Sequence, residues 1–231
     1  MFFDPRYLLF VLPGFVLSLL ATCYVKSTFA KYAQVPSGRR LTGAEAAARM
    51  LEQAGVSNVA IEQANGFLTD HYDPLRRVLR LSPDVYDSYS LSAIGIACHE
   101  AGHALQHARG SVMMGLRSAL VPATNIGSSL SYVFILLGGL MHNPRLILLG
   151  AILFSAAVLF AMVTLPVEWD ASARAKACMV RYGIVTQAEA GDAGRVLNAA
   201  FLTYVAAAVT AVLTLLYYLW RAGVFGGRRD E

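Results

Sequence analysis

The stretch LILLGAILFSAAVLFAMVTLPV, residues 146–167, contains no Asp, Glu, Lys or Arg and is followed at once by Glu168. A helix needs about 20 apolar residues to cross a bilayer. Helices of soluble proteins average about 11–12 residues, so a buried core helix accounts poorly for a run of this length. Three more uncharged stretches have the same character: Tyr7–Val25, Ala119–Met141 and Val196–Trp220. Across the 231 residues, 56% are apolar and only 15% are charged, against about 25% charged in a soluble domain. The sequence therefore predicts a membrane α-helical protein with four transmembrane helices. The second span is the most polar, holding Asn125, Ser128, Ser129 and Ser131. Such side chains are expected to face neighbouring helices and to hydrogen-bond across to them.

These spans divide the chain into an anchor (1–25), a soluble domain (26–118), a transmembrane hairpin (119–167), a helical segment (168–195), a fourth transmembrane helix (196–220) and a tail (221–231). Only His142, Asn143, Pro144 and Arg145 join the two arms of the hairpin. An even number of spans puts both termini on one side and both non-spanning pieces on the other. The non-spanning side carries Lys26, Lys31, Arg39, Arg40, Arg109, Arg117, Arg174, Lys176, Arg181 and Arg195 near the span ends; the opposite side carries Arg6, Arg145, Arg221, Arg228 and Arg229. Positive charge is retained in the cytoplasm, which predicts that the non-spanning pieces face it. The first span reads as a retained anchor rather than a cleaved leader, because Leu20-Ala21-Thr22-Cys23 fits a lipoprotein cleavage box poorly at Thr22.

A formal net charge of +4 is mild. The basic residues flank apolar segments, so they are topology signals and no nucleic-acid partner is expected. The cysteines Cys23, Cys98 and Cys178 are widely spaced with no C-x-x-C pair. That spacing points away from a disulfide framework and from a cysteine zinc cluster, and toward a reducing compartment.

Within the soluble domain, Thr42 followed by Glu45 forms a capping box for a helix from Gly43 to Ala54, stopped by Gly55. Val59–Gln63 alternates as a strand, Gly66–Pro74 reads as a loop, and Arg77–Ser82 reads as a second strand. Read as an edge strand, Arg77–Ser82 would receive an extended peptide substrate along Val78, Leu79 and Arg80. Ser90 or Ser92 caps the next helix, which runs to about Ala108. This mixture predicts a small α+β domain.

The last of these helices carries His99-Glu100-Ala101-Gly102-His103, an H-E-x-x-H pattern. Residues four apart share one helix face, so two imidazoles can meet one Zn²⁺ at about 2.0–2.1 Å. Glu100 beside them can act as general base on a water whose pKa the metal lowers to about 7. Gly95 and Gly102 each cost about 1 kcal/mol against alanine inside a helix, and close approach of another element would account for them. A catalytic zinc takes a third protein ligand. His107 shares the face, but at 1.5 Å rise per residue it lies roughly 12 Å from His99. Glu168 is the better candidate, since the topology puts it on the same side as His99. Asp170, Ser172 and Arg174 follow on the same segment, and any of them could orient a ligand. For the oxyanion donor, His71, Tyr72, Tyr86, Tyr89 and Tyr204 are open choices, with His71 preferred as a catalytic residue.

Thr69-Asp70-His71-Tyr72-Asp73-Pro74, Leu79-Arg80-Leu81-Ser82, Val85-Tyr86, the His99–Ala104 segment, Leu165-Pro166-Val167-Glu168 with Ala171-Ser172, and Thr203-Tyr204-Val205-Ala206-Ala207 together resemble the neutral zinc metallopeptidase family, the YugP-like membrane proteins of bacteria. The resemblance runs from about Thr42 to Ala207. It implies a zincin-like catalytic domain, one Zn²⁺ per chain on His99, His103 and Glu168, and a bacterial plasma-membrane setting. It also implies distant kinship with membrane gluzincins. Those usually place an Asp four residues after the ligand Glu, where this chain has Ser172. That leaves Asp170 as an alternative partner for the ligands, with Tyr204 a further one.

The expected activity is a membrane-anchored, zinc-dependent endopeptidase in which Glu100 assists attack of a zinc-bound water on membrane or membrane-proximal proteins. A regulatory membrane partner that opens a latent site is compatible with the sequence. The alternative is a non-catalytic zinc-binding membrane scaffold or adaptor. An intramembrane protease is disfavoured because the uncharged run before His99, Ser88–Cys98, is too short to cross a bilayer. A transporter is disfavoured because the spans hold almost no charge.

Overall fold

In the computed structural model, residues 5–66 and 69–225 are described, and the tail arginines Arg228 and Arg229 lie outside them. The elements in order are α1 (Pro5–Ala33), α2 (Gly43–Gln53), β1 (Ala60–Gln63), β2 (His71–Asp73), β3 (Val78–Leu81), α3 (Pro83–Tyr86), α4 (Leu91–Ala108), α5 (Val112–Leu140), α6 (Pro144–Arg181) and α7 (Gln187–Arg221). The chain is mostly helical with one small mixed sheet. Four helices, α1, α5, α6 and α7, are long and apolar enough to cross a membrane. Each expected span falls on one longer helix, with Met141 alone lying just past the end of α5. In particular, α6 continues without a break from the apolar run into Glu168 and on to Arg181.

The fold comprises two compact units. Among the described residues, one contains 5–21, 116–166 and 203–225; the other contains 22–66, 69–115 and 167–202. In the first unit, small residues permit close helix approach. A β-carbon on Gly14 would meet Thr210 Oγ1 at 2.7 Å, and one on Gly150 would meet the Ser131 carbonyl oxygen at 2.9 Å. Ser18 and Thr210 hydroxyls hydrogen-bond at 3.2 Å. Tyr7 meets Tyr217 edge-on at 5.1 Å between ring centroids. Large apolar side chains such as Leu9, Phe15, Ile126 and Ile152 remain more than half exposed, as helices that face lipid require. The Thr124 hydroxyl of α5 donates across to the Ala156 carbonyl of α6 at 3.4 Å, and Ser131 is buried, but the serine hydroxyls bond along their own helix. Ser128, Ser129 and Ser131 donate to the carbonyls of Thr124, Asn125 and Ser128 on their own helix, at 2.6, 2.8 and 2.7 Å. A carbonyl one turn back is always within reach of a helical serine, whereas a partner on another helix must be supplied by packing.

In the second unit, the Thr42 hydroxyl accepts from the Glu45 N–H and the Glu45 carboxylate accepts from the Thr42 N–H. This is the expected capping box, and the helix it starts ends at Gln53. Gly55 follows at φ +74, a left-handed conformation that favours glycine. The sheet order is β1-β3-β2, with β1 parallel and β2 antiparallel to β3. Two sequence expectations are corrected here. The segment read as a loop, Gly66–Pro74, contains strand β2. The strand read as a sheet edge is the central one: Val78, Leu79 and Arg80 pair with β1 on one side and β2 on the other. Its backbone groups are therefore already bonded, and no extended peptide can add to it. Alternation alone does not reveal which strand lies in the middle.

The Asp73 carboxylate accepts from the N–H groups of Leu75 and Arg76 at 3.0 and 3.1 Å. This turn leads into Arg77 at φ +54 and joins β2 to β3. Asp70 accepts from the Ser82 N–H at 2.7 Å, tying the start of β2 to the residue that precedes α3. Ser90 caps α4, its hydroxyl accepting from the Ala93 N–H. Ile94 and Leu105 of α4 pack into one core with Met50 of α2, Leu79 and Leu81 of β3, and Met179 and Leu197 near the α6–α7 turn. All are buried, each contributing about 1.5–3 kcal/mol by removal from water.

Candidate metal centre

Helix α4 and the charged end of α6 meet within the second unit at Gly102. A β-carbon there would lie 2.6 Å from the Ala171 carbonyl oxygen. Two turns earlier, a β-carbon on Gly95 would sit 3.3 Å from the Ala193 carbonyl oxygen of α7. Both glycines are thus explained by close approach, at the cost in helix propensity noted above.

On that seam His99 and His103 face Glu168. His99 Nε2 lies 3.1 Å and His103 Nε2 3.4 Å from the same carboxylate oxygen, Glu168 Oε2. The two imidazoles sit edge to face, with centroids 4.8 Å apart. The three donor atoms fall within 4.8 Å of one another. A tetrahedral ion with bonds of about 2.0–2.1 Å spaces its donors roughly 3.3–3.4 Å apart. The two histidine–glutamate separations, 3.1 and 3.4 Å, are close to that spacing, and a donor set of two imidazoles and one carboxylate suits zinc. Glu168 is only 2% exposed and His103 8%. Burying three such groups together without compensation would be expensive, and a shared cation supplies that compensation. Burial disfavours the charged form of His103, but its hydrogen bond to Glu168 and the nearby Glu100 charge outweigh this and raise its pKa.

The outer nitrogens of both histidines are held. His99 Nδ1 is 3.1 Å from the Ser172 hydroxyl. His103 Nδ1 is 2.9 Å from Gln106 Oε1, and Gln106 Nε2 donates at 2.8 Å to both the Val167 carbonyl and the Asp170 carboxylate. Arg174 Nε donates to Asp170 at 2.7 Å. Of the three residues expected to orient ligands, Ser172 touches His99 directly, whereas Asp170 and Arg174 reach His103 through Gln106. Sequence reasoning missed Gln106. Its signal is a polar residue three positions after His103 on the same helix face.

His71 and His107 are engaged elsewhere. His71 is exposed on β2, and its Nδ1 hydrogen-bonds the Thr69 carbonyl at 2.8 Å. No hydrogen bond or ring contact joins it to the triad among the described residues. His107 Nδ1 pairs with the Tyr72 hydroxyl at 2.8 Å, away from the ligand set. Tyr204 belongs to the first unit, in the apolar part of α7. The cysteines are all free.

Two histidines one helical turn apart, one half-buried and one buried, closed by a buried glutamate from a second helix, form a donor set of the kind zinc peptidases use. The comparisons agree. The family model described as "Putative neutral zinc metallopeptidase" matches residues 7–223, and the chain belongs to that family. The chain is 46% identical over 215 residues to the protein named "Putative membrane protease YugP" of Bacillus subtilis (strain 168), covering 93% of this chain and 94% of that one. No solved structure matches the chain.

Proposed function

We propose that this protein is a gluzincin-type endopeptidase of the bacterial plasma membrane. His99, His103 and Glu168 would hold one zinc per chain, and Glu100 would serve as general base. The observation that carries the reading is the convergence of His99 Nε2 and His103 Nε2 on one buried oxygen of Glu168. Bound zinc supplies Lewis acidity, acidifying water and polarising a peptide carbonyl. Glu100, half-buried beside His99, takes the proton of the attacking water and delivers it to the leaving amine. Three protein donors leave a coordination position for substrate. The residues around the triad comprise a zincin-like catalytic domain, spanning 26–118 with the helical segment 168–195. Four spans anchor it as a multi-pass protein with the site facing the cytoplasm. Its substrates are peptides or membrane proteins close to the bilayer, and a membrane partner could gate access.

The test uses full-length protein purified in detergent. Wild type is expected to hold near one zinc per chain and to cleave an unstructured protein substrate. Glu100→Gln should keep zinc and lose cleavage, whereas Glu168→Ala should lose zinc. Cleavage undiminished in Glu100→Gln, or carefully handled wild type without zinc, would sink the peptidase reading.

A further inference from the structure

Gln106 has no exposed surface, and the chemistry described so far makes no use of it. Its three hydrogen bonds determine which way its amide points. The Val167 carbonyl and the Asp170 carboxylate, both 2.8 Å from Nε2, can only accept. The amide N–H₂ must therefore face them, which turns Oε1 toward His103 Nδ1 at 2.9 Å. An amide oxygen also only accepts, so the proton between them sits on His103 Nδ1. A histidine that ligates zinc is neutral and so carries a single N–H. His103 Nε2, the atom 3.4 Å from Glu168 Oε2, is thereby left with its lone pair. The Ser172 hydroxyl beside His99 Nδ1 can donate or accept and imposes no such choice. The two ligand histidines are thus supported unequally.

We infer that Gln106 is a positioning residue for the metal centre, holding His103 in the tautomer and orientation that present Nε2 to zinc. Asp170 and Arg174 act through it: Arg174 holds Asp170, and Asp170 with the Val167 carbonyl holds the amide. The polar line from Arg174 to His103 is a bracket built across the α4–α6 seam. Its place is one that many zinc sites give to a carboxylate or a backbone carbonyl. A neutral amide there adds no negative charge to a pocket that already holds Glu168 and Glu100.

This inference rests on the zinc reading, and the experiment separates the two. Zinc affinity of full-length protein in detergent is measured by competition with a chelator. Gln106→Leu, close in volume and apolar, is expected to weaken zinc binding about 10–100-fold. The double variant Gln106→Glu with Asp170→Asn keeps an acceptor oxygen for His103 and supplies a donor from residue 170, leaving only the Val167 carbonyl without its donor, and it should bind zinc more tightly than Gln106→Leu. Nitrogen-15 spectra of zinc-loaded wild type should show His103 protonated at Nδ1. Wild-type affinity in Gln106→Leu, a double variant as weak as Gln106→Leu, or an Nε2–H tautomer in wild type would each overturn the inference. Should Gln106→Leu fail to fold, the double variant and the wild-type spectrum still decide it. Absence of zinc from wild type would instead remove the metal centre itself.

Discussion

Gly102 lies so close to Ala171 that a β-carbon on the glycine would stand 2.6 Å from the alanine's carbonyl oxygen. Alanine is the better helix former by about 1 kcal/mol, so Gly102→Ala would stabilise α4 in isolation. Overpacking typically costs about 1–3 kcal/mol, and a backbone carbonyl yields less readily than a side chain. The expected net effect is a loss of about 1–2 kcal/mol, together with weaker zinc binding as Glu168 is pushed away from the histidines. Thermal unfolding and zinc content of the variant check both parts. An unchanged zinc affinity would show that the seam does not set the ligand spacing.

Ser172 contacts His99 through a neutral hydroxyl at 3.1 Å. Ser172→Ala removes one hydrogen bond and leaves no buried charge behind. Zinc affinity should fall by no more than about 10-fold, the low end of the range for residues supporting metal ligands. Ser172→Asp should hold His99 at least as well, since a carboxylate is the stronger acceptor. Chelator competition on both variants reads the order, and a larger loss in Ser172→Asp would contradict it.

Asp70 offers a pH test remote from the ligands. Burial raises its pKa above the usual carboxylate range, overcoming the hydrogen bonds from Ser82 that lower it. A group whose folded pKa is raised stabilises the fold fully below its unfolded value. That contribution is lost as pH rises through the folded value. Asp70→Asn keeps an acceptor for the Ser82 N–H and does not titrate. Relative to this variant, wild type should become more stable as pH falls below the folded pKa of Asp70. Paired melting curves from neutral pH down to about the unfolded Asp value of 3.9 measure the difference, and a wild type that loses ground on acidification would refute the sign.

Thr42→Ala should cost about 0.5–2 kcal/mol by removing one half of the capping box, with the Glu45 hydrogen bond left behind. Because α2 packs into the same core as α4, the loss should register in global unfolding, while zinc stoichiometry stays unchanged. Calorimetry of the zinc-loaded protein tests the first statement and metal analysis the second.

Much of this molecule follows local rules that one stretch of chain can express. A bilayer-length run of uncharged residues can be read without knowing its neighbours, and all four such runs fall on helices, Met141 alone lying past a helix end. The capping box at Thr42 and Glu45, the Ser90 cap and the His99–His103 spacing depend only on residues within one or two turns. Glu168 was legible because the apolar run ends beside it, and Gly95 and Gly102 because glycine inside a helix asks for a reason.

The tertiary structure alone decided what depends on which segments meet. Whether Val78, Leu79 and Arg80 form an edge or a centre turns on a pairing with His71–Asp73, a strand of three residues too short to alternate visibly. Whether hydroxyls of α5 bond across or back along their helix turns on which surface faces them. That Ser172 supports His99 while Asp170 reaches His103 only through Gln106 turns on the rotation of α6 against α4, set by the contact of Gly102 with Ala171. The sequence by itself determined the elements and the metal-binding chemistry, because helix periodicity and apolar length are local. The assignment of each polar residue to its partner required the fold, because hydrogen bonds between residues about 60–70 positions apart leave no trace in the spacing of either.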